Sequence, residues 1–178
     1  EESVLKLKLP NANETITFSN KKYRNRLALN RPNILVILPW LEMGGADKFN
    51  LEFIRKLKGD YNFTIVTTLK ADNKWLKVFS EQTDDIHLMG DFLNQNQYEE
   101  YIEYMIKSRD SKIVLFSNSE YGYDILPLLK VKFPDIPMMD YIHMEEEHWK
   151  NGGYPRMSVN NTAFLDKTLV TSEYLKKW

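Results

Sequence analysis

With 178 residues the chain can bury one proper core and is too short for two domains of ordinary size. Hydrophobic residues at 43% and charged residues at 28% mark a soluble globular protein, and 24 Lys+Arg against 25 Asp+Glu argue against a nucleic-acid binder driven by counterion release. The absence of cysteine excludes disulfides, zinc–thiolate sites and cysteine nucleophiles, no apolar run approaches the roughly 20 residues that span a bilayer, and no signal peptide is visible.

In chain order, residues 4–9 alternate, with Leu5, Leu7 and Leu9 on one side and Lys6 and Lys8 on the other, as in a half-buried strand. Residues 10–14 are turn-like, and Ile16-Thr-Phe18 suits the second strand of a hairpin. Residues 20–31 are polar and basic, and Pro32 punctuates them. We read 1–31 as an N-terminal extension or linker, with Lys21, Lys22, Arg24 and Arg26 as a solvated cluster.

The stretch 33–58 organises the rest of the chain. Ile34 opens a short apolar run, through Leu38, rich in β-branched residues, as in a strand covered on both faces; Pro39 has no N–H to continue the ladder. Gly44-Gly45 allows a tight turn and close approach of the backbone to a ligand. Ala46, Phe49, Phe53, Ile54 and Leu57 then share one helical face, and Gly59 is placed to end the helix in a left-handed conformation. A helix opening from a glycine turn presents free N–H groups that suit a phosphate or carboxylate. Neither G-x-G-x-x-G nor G-x-x-x-x-G-K-[ST] is present, so a plain strand-to-helix turn stands beside the phosphate reading.

Strands follow at 63–67, 86–89, 112–116, 138–142 and 168–171, separated by helices. A short helix at 74–81 turns Trp75, Leu76 and Phe79 inward. Another aligns Tyr98, Tyr101, Ile102, Met105 and Ile106 on one face. A third runs over 123–131, with Pro127 near its start or kinking it, and Ser172 is placed to cap a helix beyond the last strand. This rhythm predicts an α/β fold, a doubly wound, mainly parallel sheet with helices on both faces. Ligands of such sheets bind outside the carboxyl ends of the strands, here 42–47, 67–70, 90–91, 117–120, 143–149 and 171–173.

The stretch 140–156 gathers two His, three Glu, two large aromatics and an Arg after the fifth strand. His143 and His148 fit neither H-E-x-x-H nor H-x-x-E-H, so no metal is expected. Consecutive Glu145, Glu146 and Glu147 read as a solvated acidic run rather than a glycosidase pair. Trp149 and Tyr154 could stack on sugar rings or pack under the loop as a small cluster.

Leu-Pro-Trp-Leu-Glu-Met-Gly-Gly-Ala-Asp-Lys-Phe resembles the first strand, loop and helix of family 4 retaining glycosyltransferases, which have the GT-B architecture of two Rossmann-like halves. Gly44, Gly45, Ala46 and Asp47 match a Gly-Gly-small-acidic signature in which the family more often has Glu. The run 143–156 looks like a subgroup found in large bacterial cell-surface polysaccharide enzymes, and 166–177 fits the last strand of the N-terminal half. The resemblance implies a Rossmann-like N-terminal half at 32–178, with 1–31 as an extension or hairpin and the C-terminal donor-binding domain beyond the sequence. The chain, from Glu-Glu-Ser to Leu-Lys-Lys-Trp without an initiator Met, is accordingly read as a piece of something longer. The parent would be a hexosyltransferase moving a sugar from a nucleotide-sugar donor, as substrate, to a glycan or lipid-linked acceptor, with no cofactor or metal required. It would work in the cytoplasm or at the inner face of the cell membrane, without nucleic acid. By the same resemblance Gly44, Gly45 and Ala46 would meet donor phosphate and His143 the reacting region. Asn118, Ser119, Glu120, Glu146, Trp149, Tyr154 and Arg156 would shape the acceptor side. The alternatives are a free-standing Rossmann-like nucleotide-binding domain, of NAD type for example, and a non-catalytic glycan-binding domain.

Overall fold

The computed structural model describes residues 4–8, 15–19 and 30–177. Strands β1 (Val4–Lys8) and β2 (Thr15–Ser19) pair antiparallel, Val4 opposite Ser19, as a two-stranded sheet of their own. The basic cluster at 21–26 lies outside the described residues.

The main sheet has six strands: β3 (Asn33–Leu38), β4 (Asn62–Thr67), β5 (Ile86–Leu88), β6 (Ser111–Ser117), β7 (Met138–Ile142) and β8 (Lys167–Val170). They are hydrogen-bonded in the order β5-β4-β3-β6-β7-β8, and every pair is parallel. Counted from β3, this is the 3-2-1-4-5-6 order of a doubly wound, Rossmann-like α/β fold, and its switch point lies between β3 and β6. All six residues of β3 are buried, which is why its sequence is apolar throughout rather than alternating.

Helices cover both faces. α1 (Gly45–Leu57) and α2 (Leu76–Ser80) place Leu51, Ile54 and Phe79 on Ile34, Val36, Phe63 and Ile65. On the other face lie α4 (Tyr98–Ser108), α5 (Glu120–Lys132) and α6 (Tyr154–Asn160). Their Ile102, Met105, Leu126, Leu129 and Met157 meet Leu35, Ile37, Val114 and Phe116. The one-turn α3 (Met89–Phe92) follows β5 directly. Gly90 in that turn is required by contact, because a Cβ there would sit 2.7 Å from the Lys70 backbone nitrogen.

Four sequence expectations change. The buried face of α1 is Asp47, Asn50, Leu51 and Ile54, while Phe49 is half exposed, because the helix turns its first polar residues toward the end of the sheet. Gly59 does not adopt a positive φ; α1 ends at Leu57 with Lys58 as its C-cap, and the amides of Asp60 and Tyr61 both donate to the Leu57 carbonyl instead. α5 begins three residues early, because the Ser119 hydroxyl accepts from the Gly122 amide as an N-cap, and it continues through Pro127. The stretch after β7 is not all loop: Pro155, in the first turn, suits the start of α6. Ser172 does act as a cap, accepting from Leu175 N–H at the head of a short 3-10 turn, Leu175–Lys177.

The β5 edge is held by a polar network. Arg109 Nε and Nη2 donate to the two oxygens of Asp85, each at 3.0 Å, and the Thr64 hydroxyl donates at 2.6 Å. His87 Nε2 lies 2.9 Å from Asp85 and its Nδ1 is 2.8 Å from the Tyr101 hydroxyl, so Nε2–H donates to the carboxylate and Nδ1 accepts from tyrosine.

Candidate functional site

All six strands run the same way, so the loops after β3, β4, β6, β7 and β8 gather at one edge. There the chain after β3 crosses to α1 through Gly44, the extended N-cap (φ −148°), and Gly45, above which space is open. Gly44 is closed over by the Asp47 carboxylate, since a Cβ on it would meet Oδ2 at 2.9 Å. Burial pushes the Asp47 carboxyl up to about 6, the Glu42 charge adds to this, and hydrogen bonds from the amides of Asp47 and Glu42 oppose it. The helix N-terminus formed by Gly44, Gly45 and Ala46 therefore already holds an internal carboxylate. Glu42 braces the turn by accepting from the Asn73 amide at 2.8 Å, while Asn73 accepts from Leu41 N–H at 2.9 Å.

At the switch point the end of β3 is bridged. The Thr68 amide donates to the Leu38 carbonyl, and the Thr68 and Ser119 hydroxyls share a hydrogen bond at 2.9 Å. Both residues are buried, so Ser119 holds structure together rather than facing solvent. Asn118 beside it has φ +51°, and its side-chain oxygen is buried with no partner among the described residues.

His143 follows β7 directly. Its Nε2 lies 2.8 Å from Ser117 Oγ at the end of β6, and its carbonyl accepts from the Thr171 hydroxyl, after β8, at 2.7 Å. Tyr141 and Phe49 flank the ring, with centroids at 4.4 and 5.8 Å. Nδ1 is buried and has no partner among the described residues. Burial lowers the imidazole to about 4, so the ring is neutral at physiological pH.

His143 also borders an open cleft of about 560 Å³, with Glu145, Glu147, His148, Ser172 and Tyr174. The volume is in the range of small-molecule sites. The Tyr174 hydroxyl donates to Glu145 at 2.5 Å. Among the described residues no Lys or Arg lines the cleft; its polar groups are two carboxylates, two imidazoles and the hydroxyls of Thr171, Ser172 and Tyr174.

The other expected acceptor residues form a separate cluster. Residues 150–153 all have positive φ, a tight reversal that returns Gly153 N–H to the Trp149 carbonyl at 2.7 Å. Glu146 bridges to Gly152 across this turn. Trp149 packs edge-on against Tyr154 at 5.0 Å, and Tyr154 stacks on Tyr123 at 6.3 Å. Burial, with the charges of Glu146 and Glu120, raises the Tyr154 phenol to about 12. Lys150 joins the cluster by an ion pair to Glu120 and a position over the Trp149 ring, and Arg156 Nε donates to the Asn151 carbonyl at 3.2 Å. Glu120, Glu146, Trp149, Tyr154 and Arg156 are thus brought near one another, with the two rings occupied by each other.

Sequence reasoning missed Thr68, Ser117 and Thr171 as positioning groups, and Asp47 and Asn50 as buried polar residues. A hydroxyl at or just past a strand's carboxyl end was the available signal. Among the described residues no group of three or more His, Asp or Glu side chains gathers to hold a metal.

No protein-family profile matches the chain, and no curated protein matches it. Among solved structures, the crystal structure of dTDP-glucose 4,6-dehydratase from Bacillus anthracis in complex with NAD superposes with a TM-score of 0.46 at 20% sequence identity. The match covers 62% of this chain, which spans 37% of that enzyme.

Proposed function

We propose that the chain is the N-terminal, acceptor-side half of a retaining glycosyltransferase of the GT-B type, acting in bacterial cell-surface polysaccharide synthesis. The observation that carries this reading is His143, a neutral imidazole fixed at the carboxyl end of β7 beside an open cleft. The parent would move a sugar from a nucleotide donor to a hydroxyl of a glycan or lipid-linked acceptor. This chain's residues would orient and stabilise: His143 would hydrogen-bond the sugar at the reacting centre, while Gly45 and Ala46 could meet the leaving diphosphate only by sharing the helix N-terminus with the Asp47 carboxylate. The second half would supply most donor contacts. The parent would sit in the cytoplasm or peripherally on the inner membrane face; among the described residues no helix is long and apolar enough to cross a membrane.

A second reading, a nucleotide-binding Rossmann-like domain of NAD type, is favoured by the 3-2-1-4-5-6 strand order. It is opposed by the missing G-x-G-x-x-G and by the Thr68–Ser119 bridge across the crevice such ligands use.

The test is to read the gene past the codon for Trp178, express its complete product and assay it with a panel of nucleotide sugars. Expected are sugar transfer by the complete product, none by residues 1–178 alone, and loss of transfer on His143→Ala. Turnover by 1–178 alone, or full activity of His143→Ala, would overturn the proposal. Quenching of Trp40 fluorescence by micromolar NAD(H) would favour the second reading.

A further inference from the structure

We infer that Ser117 fixes the tautomer of His143, leaving the ring a neutral Nδ1–H donor free to take a ligand oxygen when the adjoining cleft is occupied. This deepens the role of His143 in the proposed function and rests on that reading for the identity of the ligand, a sugar.

Ser117 is fully buried as the last residue of β6, and its hydroxyl has a single partner among the described residues, His143 Nε2 at 2.8 Å. If Nε2–H donated to Ser117, the serine proton would have no acceptor and the Nδ1 lone pair would also be unmet. If serine donates to Nε2, the serine is satisfied and one unmet group is left, the Nδ1–H. The second arrangement leaves fewer unmet groups and is the one a buried site keeps. The ring cannot turn freely to escape it. The Thr171 hydroxyl holds the His143 carbonyl, Tyr141 packs on the ring at 4.4 Å, and Phe49 flanks it. Three adjacent strand ends therefore fix one imidazole and leave one donor without a partner beside a cleft. A buried orphan N–H is rare unless something else satisfies it. A ligand oxygen, from a hydroxyl, carbonyl or ring ether, is what this donor would take. A proton-accepting role for Nδ1 is excluded in this tautomer.

The experiment is long-range ¹H–¹⁵N NMR on the 178-residue chain between pH 6 and 8, which reads the two ring nitrogens separately. Expected is a protonated Nδ1 and a bare Nε2 in the native chain. Ser117→Ala is expected to release the ring into a mixture containing Nε2–H, and Ser117→Thr to restore Nδ1–H. An Nε2–H tautomer in the native chain, or an unchanged tautomer in Ser117→Ala, would overturn the inference. The native spectrum alone is decisive if the variants fold poorly. Glycosyl transfer by the complete gene product reports separately on the proposed function: the tautomer can hold where transfer is absent, and transfer can occur where the tautomer is wrong. If both hold, Ser117→Ala lowers kcat about tenfold and leaves the acceptor KM near its native value, the effect of losing roughly one oriented hydrogen bond.

Discussion

Replacing Arg109 with Met should destabilise the domain more than most single substitutions, and the geometry at Asp85 sets the size. The guanidinium grips both carboxylate oxygens at 3.0 Å, with only 8% and 13% of the two side chains exposed. Removing one partner of a buried pair costs about 3–5 kcal/mol, because the other charge is left uncompensated. Thr64 and His87 still bond Asp85 in the variant, so the lower end applies, about 3 kcal/mol at pH 7. Burial alone would push the Asp85 carboxyl up, but hydrogen bonds from His87, Arg109 and Thr64 outweigh it and hold it well below the usual range. A carboxyl depressed in the folded state stabilises fully above its unfolded value of about 3.9 and loses that contribution as pH falls toward the folded value. The gap between native and Arg109→Met should therefore be widest at pH 7 and narrow below about pH 4. Urea unfolding followed by circular dichroism at both pH values measures it, with an expected midpoint shift of about 1–2 M. Adding Asp85→Asn to Arg109→Met removes the stranded charge and should recover part of the loss. A pH 7 gap below about 1 kcal/mol, or one that widens in acid, would refute the reasoning.

Gly90→Ala should lower stability by about 1–3 kcal/mol, since its methyl would press on the backbone of Leu69 and Lys70; an unchanged Tm would mean that the loop after β4 yields. Ser119→Ala removes the α5 cap and the bridge to Thr68, with an expected loss of about 1–2 kcal/mol by chemical denaturation. Asp47 is raised in the fold, so its ionisation destabilises as pH rises from about 4 through 6; Asp47→Asn should gain on the native chain by about 1–2 kcal/mol between pH 5 and 7.5, and a pH-independent difference would contradict the buried carboxylate. His143 is lowered to about 4, so its contribution is complete above pH 6.5 and is lost as pH falls toward 4; its ring proton resonances should stay fixed from pH 8 to 5.5, and a midpoint near 6.5 would show that the ring is not buried.

The fold was legible because buried parallel strands leave an unmistakable trace. Residues 34–38 and 63–67 are continuous apolar or β-branched runs because both of their faces are covered, and six strands alternating with helices admit few arrangements. The inward face of α1 was harder to read. Apolar periodicity picks Phe49, yet the structure buries Asp47 and Asn50, because the first turns of the helix cover the polar strand ends and not the apolar core. Trp149 and Tyr154 illustrate a second limit: composition marks a stretch as chemically rich, but it does not tell two rings facing a ligand from two rings packed on each other.

The carboxyl edge divides its work in a way that bears on which ligand the domain can take. A dinucleotide in an open sheet of this order lies across the switch point, with its pyrophosphate on the first helix N-terminus. Here both places are filled from within: buried Thr68 and Ser119 join across the end of β3, and the Asp47 carboxylate covers Gly44. An anion approaching that helix must displace or share with a carboxylate, and like charges at such range repel. The edge is unfilled farther along, at the ends of β7 and β8, where a neutral imidazole with a spare nitrogen borders a cleft that holds no Lys or Arg among the described residues. That chemistry suits a hydroxyl-rich ligand better than a phosphate-rich one. Under the proposed acceptor-side reading, such an edge would meet the hydroxyls of a ligand and leave most diphosphate contacts to groups supplied from elsewhere. The Thr68–Ser119 bridge and the Asp47 carboxylate over Gly44 are the two observations that favour the proposed acceptor-side reading over a dinucleotide module.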